Sequence, residues 1–292
     1  MPAPTIALIG AGRMGAALVR GWLAAGTQSE IIIVTPRPSD EVSGWAADGK
    51  VTLNPEPAPA DIVVLSVKPQ VFATTIEETS PFIGPDTLVV SVMAGVLIKQ
   101  LAASFESTRV VRAMPNTPGA IGQGVTVITA PPGADPADID LATDLLLPLG
   151  IVEGPIDEKL ISAAAGVSGC GPAYVFLLAE VMAMAGEAEG LPADLSARLA
   201  RRTVEGAAAL MASTEESPGA LRKAVTSPNG VTQAALDILM DEGGMPILMR
   251  KALRAAANRE RDLSRRARSR CHTAMVRPHT RRDCRPGRAH PQ

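Results

Sequence analysis

The sequence predicts a doubly wound α/β domain followed by an all-helical one, and three observations lead there. Six short runs rich in Val and Ile alternate with helical patterns through the first half. A glycine-rich turn closes the first of these runs and opens a helix. After about Gly154 the strand-like runs cease, and long Ala-rich helical patterns replace them. A chain of 292 residues fits two domains, because single cores stop growing near ~250–300 residues.

Strands are expected over residues 6–9, 30–35, 61–67, 87–92, 109–113 and 125–129, each brief and bounded by Gly, Pro or Asp. Apolar residues fill both faces of these runs, the pattern of buried parallel strands covered by crossover helices. Stretches between them, such as 14–25 and 96–104, have helical spacing, and a helix over 136–146 closes the domain. In the second half, 158–167, 172–189, 193–212 and 231–240 read as helices. Gly190 before Leu191-Pro192, and Gly243-Gly244 before Pro246, are stop-and-restart signals between helices. Small residues suit close helix packing or a subunit interface. The expected units are 1–157, 158–264 and a basic, disordered tail over 265–292, where apolar periodicity has vanished.

Composition removes several function classes. Hydrophobic residues make up 46% and charged residues 20%, as in globular proteins. No apolar run is read as approaching the ~18–20 residues of a membrane span, and the N-terminus shows no signal-peptide pattern, so cytoplasmic residence is expected. Three cysteines fit a reducing compartment better than a disulfide framework. The net charge of −2 hides an asymmetry: residues 265–292 hold nine Arg and one Asp, a charge of +8, which leaves −10 on the rest. An acidic body with 2% aromatics is a poor nucleic-acid binder. Cys271, His272, His279, Cys284 and His290 match no zinc spacing, so no metal site is expected.

The chemistry begins at Gly10-Ala11-Gly12-Arg13-Met14-Gly15. Gly10 permits a tight turn, Gly12 lets the backbone approach a pyrophosphate, and Gly15 allows close helix–strand packing. The helix N-terminus then faces the anion. NAD-binding folds usually place an acid at the end of the second strand, where it would repel a 2′-phosphate. Here the chain reads Val34-Thr35-Pro36-Arg37, a hydroxyl and a guanidinium that favour NADP over NAD. Ser66-Val67-Lys68-Pro69 ends the strand expected at the topological switch point, which places Lys68 near phosphate, ribose or a substrate carboxylate.

Four blocks in order resemble the pyrroline-5-carboxylate reductase family. Val64-Leu65-Ser66-Val67-Lys68-Pro69-Gln70 is similar to its strand end, and Arg112-Ala113-Met114-Pro115-Asn116-Thr117-Pro118 to its Met-Pro-Asn-Thr-Pro loop. Ser168-Gly169-Cys170-Gly171-Pro172-Ala173-Tyr174-Val175 resembles its domain-junction helix start, and Val225-Thr226-Ser227-Pro228-Asn229-Gly230-Val231-Thr232 its signature. The resemblance implies a Rossmann-type NADP domain, NADPH as hydride donor with NADH possible, and a helical domain that pairs into dimers or larger homo-oligomers. It carries cofactor contacts to Ile9, Gly10, Ala11, Gly12, Arg13, Met14, Thr35, Asn54, Ser66, Val67, Lys68, Pro69, Val92, Met93 and Ala94. It carries contacts with a small cyclic imine to Glu215, Ser227, Asn229, Gly230, Val231 and Thr232. The chain departs from the family pattern at Asn229, usually Gly, at Val231, often Thr or Ala, and at Lys223-Ala224, commonly Asp-Asn. Asn tolerates left-handed backbone, so the turn can survive.

Ser227 before Pro228 reads as an N-cap with proline at the first helical position. The following N–H groups then capture a carboxylate without an arginine. Thr232 is the expected catalytic residue, its hydroxyl bonding the imine nitrogen, with Glu215 near the cationic ring. Two other readings stay open here. A β-hydroxyacid dehydrogenase would need a helical Lys with paired Asn residues after it, and Lys159 lacks them. A non-catalytic NADP-binding or assembly protein would accommodate Asn229, Ala224 and the unusual tail.

Overall fold

The computed structural model describes residues 3–275, with side chains described as far as Arg265. The first half is one eight-stranded sheet. Its strands are β1 (Thr5–Ile9), β2 (Glu30–Val34), β3 (Thr52–Leu53), β4 (Ala60–Leu65), β5 (Ile83–Ser91), β6 (Val110–Met114), β7 (Gly124–Thr129) and β8 (Gly150–Glu153). Their order is β3-β2-β1-β4-β5-β6-β7-β8. Helices α1 (Arg13–Ala24), α2 (Asp40–Ala47), α3 (Phe72–Thr79), α4 (Ile98–Phe105) and α5 (Pro136–Leu146) connect and cover it.

The Val/Ile runs form central strands because both faces of each are buried. Ile6 and Leu8 join one hydrophobic cluster with Leu18, Trp22 and Val64. Ala7 and Ile9, one residue out of phase, join the other with Leu65, Phe72 and Leu101. Each fully buried aliphatic side chain stabilises by about 1.5–3 kcal/mol relative to exposure. Trp22 ties α1 to α5 by donating its indole N–H to the Leu145 carbonyl at 2.7 Å, and Phe72 meets Phe105 edge-on at 6.0 Å.

One strand departs from the expected parallel pattern, and two short strands add to it. The run at 125–129 is a strand, but β7 lies antiparallel to β6, with Arg112 opposite Thr129. The connection between them holds a single 3-10 turn, Thr117–Ile121, and a parallel return needs a crossover of a dozen or more residues. The short strands β3 and β8 were not expected; each has too few residues to show a periodicity.

The second half contains α6 (Ile161–Ala164), α7 (Gly171–Ala188), α8 (Ala193–Ala212), α9 (Pro218–Ala224), α10 (Val231–Leu239) and α11 (Met245–Met275). Gly190, at φ +93, makes the turn between α7 and α8. These two helices lie close: a Cβ on Gly186 would collide with the Ser196 hydroxyl, which donates to the Ala183 carbonyl at 2.8 Å. A π-helical turn, Ala165–Gly169, links α6 to α7. The resulting helix from Glu158 to Ala188 is long and apolar enough, by length and composition, to cross a membrane. That corrects the reading that no run reaches such a length, since glycines and Ser168 divide the run in sequence without ending the helix.

The tail also needs correction. Helix α11 continues from the expected boundary as far as Met275, because Arg and Ala sustain a helix without an apolar stripe. Residues 276–292 lie outside the described residues, and with them the remainder of the disorder expectation.

Candidate active site

The register of the parallel strands builds the site. Ile9 pairs with Val34 on one side and with Leu65 on the other, and Leu65 pairs with Ser91. Four strand ends therefore stop on one line, and the loops after them leave the same edge of the sheet. Those loops carry Gly10 to Gly15, Thr35 to Arg37, Ser66 to Pro69, and Val92 to Ala94. The chain reverses direction across the sheet on either side of β1, and ligands bind at such a switch point.

The glycines divide into packing and access. Gly10, at φ +93, has no room for a Cβ, which would lie 2.8 Å from a Val67 methyl. A Cβ on Gly15 would collide with the Gly10 carbonyl. Gly12 is the opposite case: no atom lies within 4 Å of the position its Cβ would take. It is the N-cap of α1, with no side chain capping it and no acid in the first turn. Open backbone at a positive helix end fits a diphosphate. Arg13, Arg37 and Lys68 are exposed around this edge, without a carboxylate partner among the described residues. An NADP-type dinucleotide matches this donor set.

Asn54 stands here by a more specific route. Its left-handed backbone, φ 47, turns its carboxamide onto Thr35, whose N–H it accepts at 2.9 Å and whose carbonyl it donates to at 3.0 Å. The amide thus shapes the loop after β2. Met93 is buried at 2% exposure, so its backbone, rather than its thioether, faces the edge. Ala94 packs against the small cluster formed by Met114, Val127, Ile161 and Ala165, where the sheet meets the helices.

The substrate turn departs from its expected form. Ser227 does not cap a helix that starts at Pro228. Gly230 is the N-cap, and α10 begins at Val231. The physical reason is Asn229, whose φ of 58 ends any helical run after Pro228; Gly230 N–H then closes the turn on the Ser227 carbonyl at 3.0 Å. The Ser227 hydroxyl lies across Gly230, where a Cβ would collide with it. The N–H groups of Val231, Thr232 and Gln233 find no acceptor among the described residues. A hydroxyl and free amides at a helix N-terminus make an anion seat.

Glu215, Val231 and Thr232 are exposed. Within one chain no element of the sheet packs broadly on α9 or α10. The structure brings the expected cofactor residues to one sheet edge and Ser227 to Thr232 into one turn, but among the described residues no hydrogen bond or broad packing joins Glu215 or the sheet edge to that turn. Around them α7 buries no residue, and Phe176, Leu177, Met184, Leu210, Ile238 and Leu248 are exposed. Lys159, the group a β-hydroxyacid dehydrogenase would use, is 89% exposed and 3.8 Å from Asp157.

Comparison with known proteins decides the family. Residues 158–263 match the model for pyrroline-5-carboxylate reductase dimerisation, and residues 5–95 match the model for NADP oxidoreductase, coenzyme F420-dependent. The pyrroline-5-carboxylate reductase of Pseudomonas aeruginosa is 39% identical over 269 residues, covering 90% of this chain and 98% of that protein. The chain belongs to the pyrroline-5-carboxylate reductase family. The pea (Pisum sativum) reductase is 36% identical over 265 residues, 89% of this chain and 96% of its own. Among solved structures, the Coxiella burnetii pyrroline-5-carboxylate reductase aligns with a TM-score of 0.81 at 33% identity, covering 90% of this chain and 99% of that one. The Plasmodium falciparum reductase, solved with NADP bound, aligns at 0.75 and 25% identity over 90% and 99%.

Membership fixes the class as an NAD(P)H-dependent oxidoreductase with a Rossmann-type domain and a dimerisation domain. Two structural residues lay outside the expected site. Asn116, in the loop after β6, accepts the Val125 N–H at 2.9 Å and donates to the Ser168 carbonyl at 3.0 Å, so it fixes the π-turn. Arg112 lies fully buried on β6. A charge inside the run Val-Val-Arg-Ala-Met was the available signal.

Proposed function

We propose that the protein reduces 1-pyrroline-5-carboxylate to L-proline with NADPH, the last step of proline biosynthesis. The overall change is imine plus NADPH plus a proton, giving the amine and NADP. The observation that carries this reading, in a chain of this family, is the register that brings four loops, three of them carrying an exposed cation, to one sheet edge. When bound there, NADPH supplies the hydride. Gly10 to Gly15 hold the diphosphate, Thr35 and Arg37 the 2′-phosphate, and Ser66 to Pro69 with Val92 to Ala94 the remaining half. NADH is a weaker donor on this reading, because it leaves Arg37 unpaired.

The chain's own part is orientation. The α10 amides and the Ser227 hydroxyl bind the substrate carboxylate. Thr232 hydrogen-bonds the ring nitrogen, and the Glu215 carboxylate stabilises its positive charge. A protonated imine is already electrophilic, so placing it correctly accomplishes most of the catalysis. Because α10 and the cofactor edge do not meet within one chain, the site is completed in a homodimer or larger oligomer through the apolar faces of α7, α8, α10 and α11. That same pairing accounts for the apolar helix from Glu158 to Ala188 without a bilayer. We place the protein in the cytoplasm, without membrane or nucleic-acid partners, in keeping with the −10 charge of its body.

Spectrophotometric NADPH oxidation with 1-pyrroline-5-carboxylate tests the proposal, with 3-hydroxyisobutyrate plus NADP as comparison. Turnover with the imine alone is expected. Turnover with the hydroxyacid alone, or with neither, contradicts it.

A further inference from the structure

Arg112 heads the fully buried side chains by volume among the described residues. It pairs in register with Ser91, the last residue of β5. It therefore lies beside the loop 92–97, which carries Val92, Met93 and Ala94. The loop leaves the sheet on the side of β1 away from β2, so it borders the half of the cleft opposite Thr35 and Arg37.

The guanidinium reaches two carboxylates of the helical half. Nη2 donates to Glu260 Oε1 at 2.7 Å and Nη1 to Glu158 Oε1 at 3.3 Å, while Nε has no acceptor. Each carboxylate holds something more. Glu158 Oε1 also accepts the N–H of Ile98 at 2.8 Å, at the start of α4 immediately after the loop. The other Glu260 oxygen accepts the Ser162 hydroxyl, and the Ser264 hydroxyl faces Oε1 at 3.5 Å. Leu263 and Ser264 in turn press on Gly95. A Cβ there would lie 3.0 Å from Leu263 Cβ and 3.1 Å from Ser264 N, and its φ is +74. Helix α11 thus pins the loop at Gly95, and Glu158 pins it at Ile98. One guanidinium anchors both pins. A buried ion cluster is weak evidence for stability but suits the fixing of one geometry.

We infer that Arg112 is a positioning residue for hydride transfer, acting through Glu158 and Glu260 to set the 92–97 loop against the helical half that carries the substrate turn. The inference rests on the proposed cofactor edge. Glu260→Gln and Glu158→Gln, made in the full chain, test it by thermal melting, oligomer mass, NADPH Kd from the nucleotide's own fluorescence, and kcat against KM. Both variants are expected to stay folded and assembled, with kcat lowered about tenfold or more and NADPH Kd raised, because small misplacements have such effects. KM for the imine should hardly move, and Arg112→Lys should recover part of the loss that Arg112→Met causes. Folded variants with wild-type kcat and Kd would overturn it. If Glu260→Gln does not fold, Gly95→Ala carries the test, since it displaces the loop at its left-handed residue and from Leu263 without altering a charge. The same kcat and Kd signature supports the inference, and wild-type values refute it. Failure of every variant to fold also refutes it, because the cluster then serves folding alone. A wild-type chain that binds NADPH but leaves the imine unreduced would sink the proposed reaction alone, with Kd still reporting on the loop.

Discussion

At the residue scale, two glycines of one motif separate binding from folding. Gly12→Ala adds a methyl into open space on a helix N-cap of ordinary φ, −71, so melting should be unchanged. NADPH Kd should rise about 10–100-fold, the effect of losing a hydrogen bond to a charged group worth ~1.5–3 kcal/mol. Gly15→Ala drives a methyl onto the Gly10 carbonyl and should destabilise the fold by about 1–3 kcal/mol. Equal effects of the two on Kd and melting would refute that division. Thr232→Ala should lower kcat about 10–100-fold through one lost hydrogen bond while sparing NADPH affinity; unchanged turnover in stopped-flow would remove Thr232 from the chemistry. The turn glycines were legible in sequence, because a tight turn and close packing follow from local backbone. Arg112 was not, because its partners stand 46 and 148 positions away.

Elements were legible where the sequence states its own ends. Helix α5 runs from Pro136 to Leu146 as expected, with Asp135 accepting the Ala137 N–H at 2.9 Å. The two Ser-Pro pairs show the limit. Ser217-Pro218 starts a helix, and its hydroxyl accepts the Ala220 N–H at 3.2 Å. Ser227-Pro228 makes a turn, because Asn229 follows in the left-handed region. The direction of β7 was also hidden, since strand polarity is set by connection length and not by side-chain alternation. Asn229→Ala should destabilise the turn by about 1 kcal/mol, because alanine lacks the short polar side chain that makes asparagine tolerant of left-handed backbone, and raise KM for the imine. Asn229→Gly should melt at or above wild type. An alanine variant with wild-type melting and KM would show that the turn does not depend on this backbone.

Across the whole molecule, the sheet buries both its faces, while the helical half leaves a broad apolar surface uncovered in one chain. Phe176 is 67% exposed on α7. Phe176→Glu places a charge where an apolar partner surface should close, so light scattering should show dissociation, with turnover lost and NADPH binding retained. An undisturbed oligomer would move the interface elsewhere. The composition could announce tight helix packing, but not which surfaces of two chains meet. On the proposed reading, the cofactor edge of one chain and the α10 turn of another form one site. A crystal structure of the assembled protein with NADP and proline measures this directly. The proline carboxylate is expected on the amides of residues 231–233, beside the Ser227 hydroxyl, with its ring about 3–3.5 Å from the nicotinamide. Proline seated elsewhere, with Thr232 remote from every nicotinamide in the assembly, would contradict it.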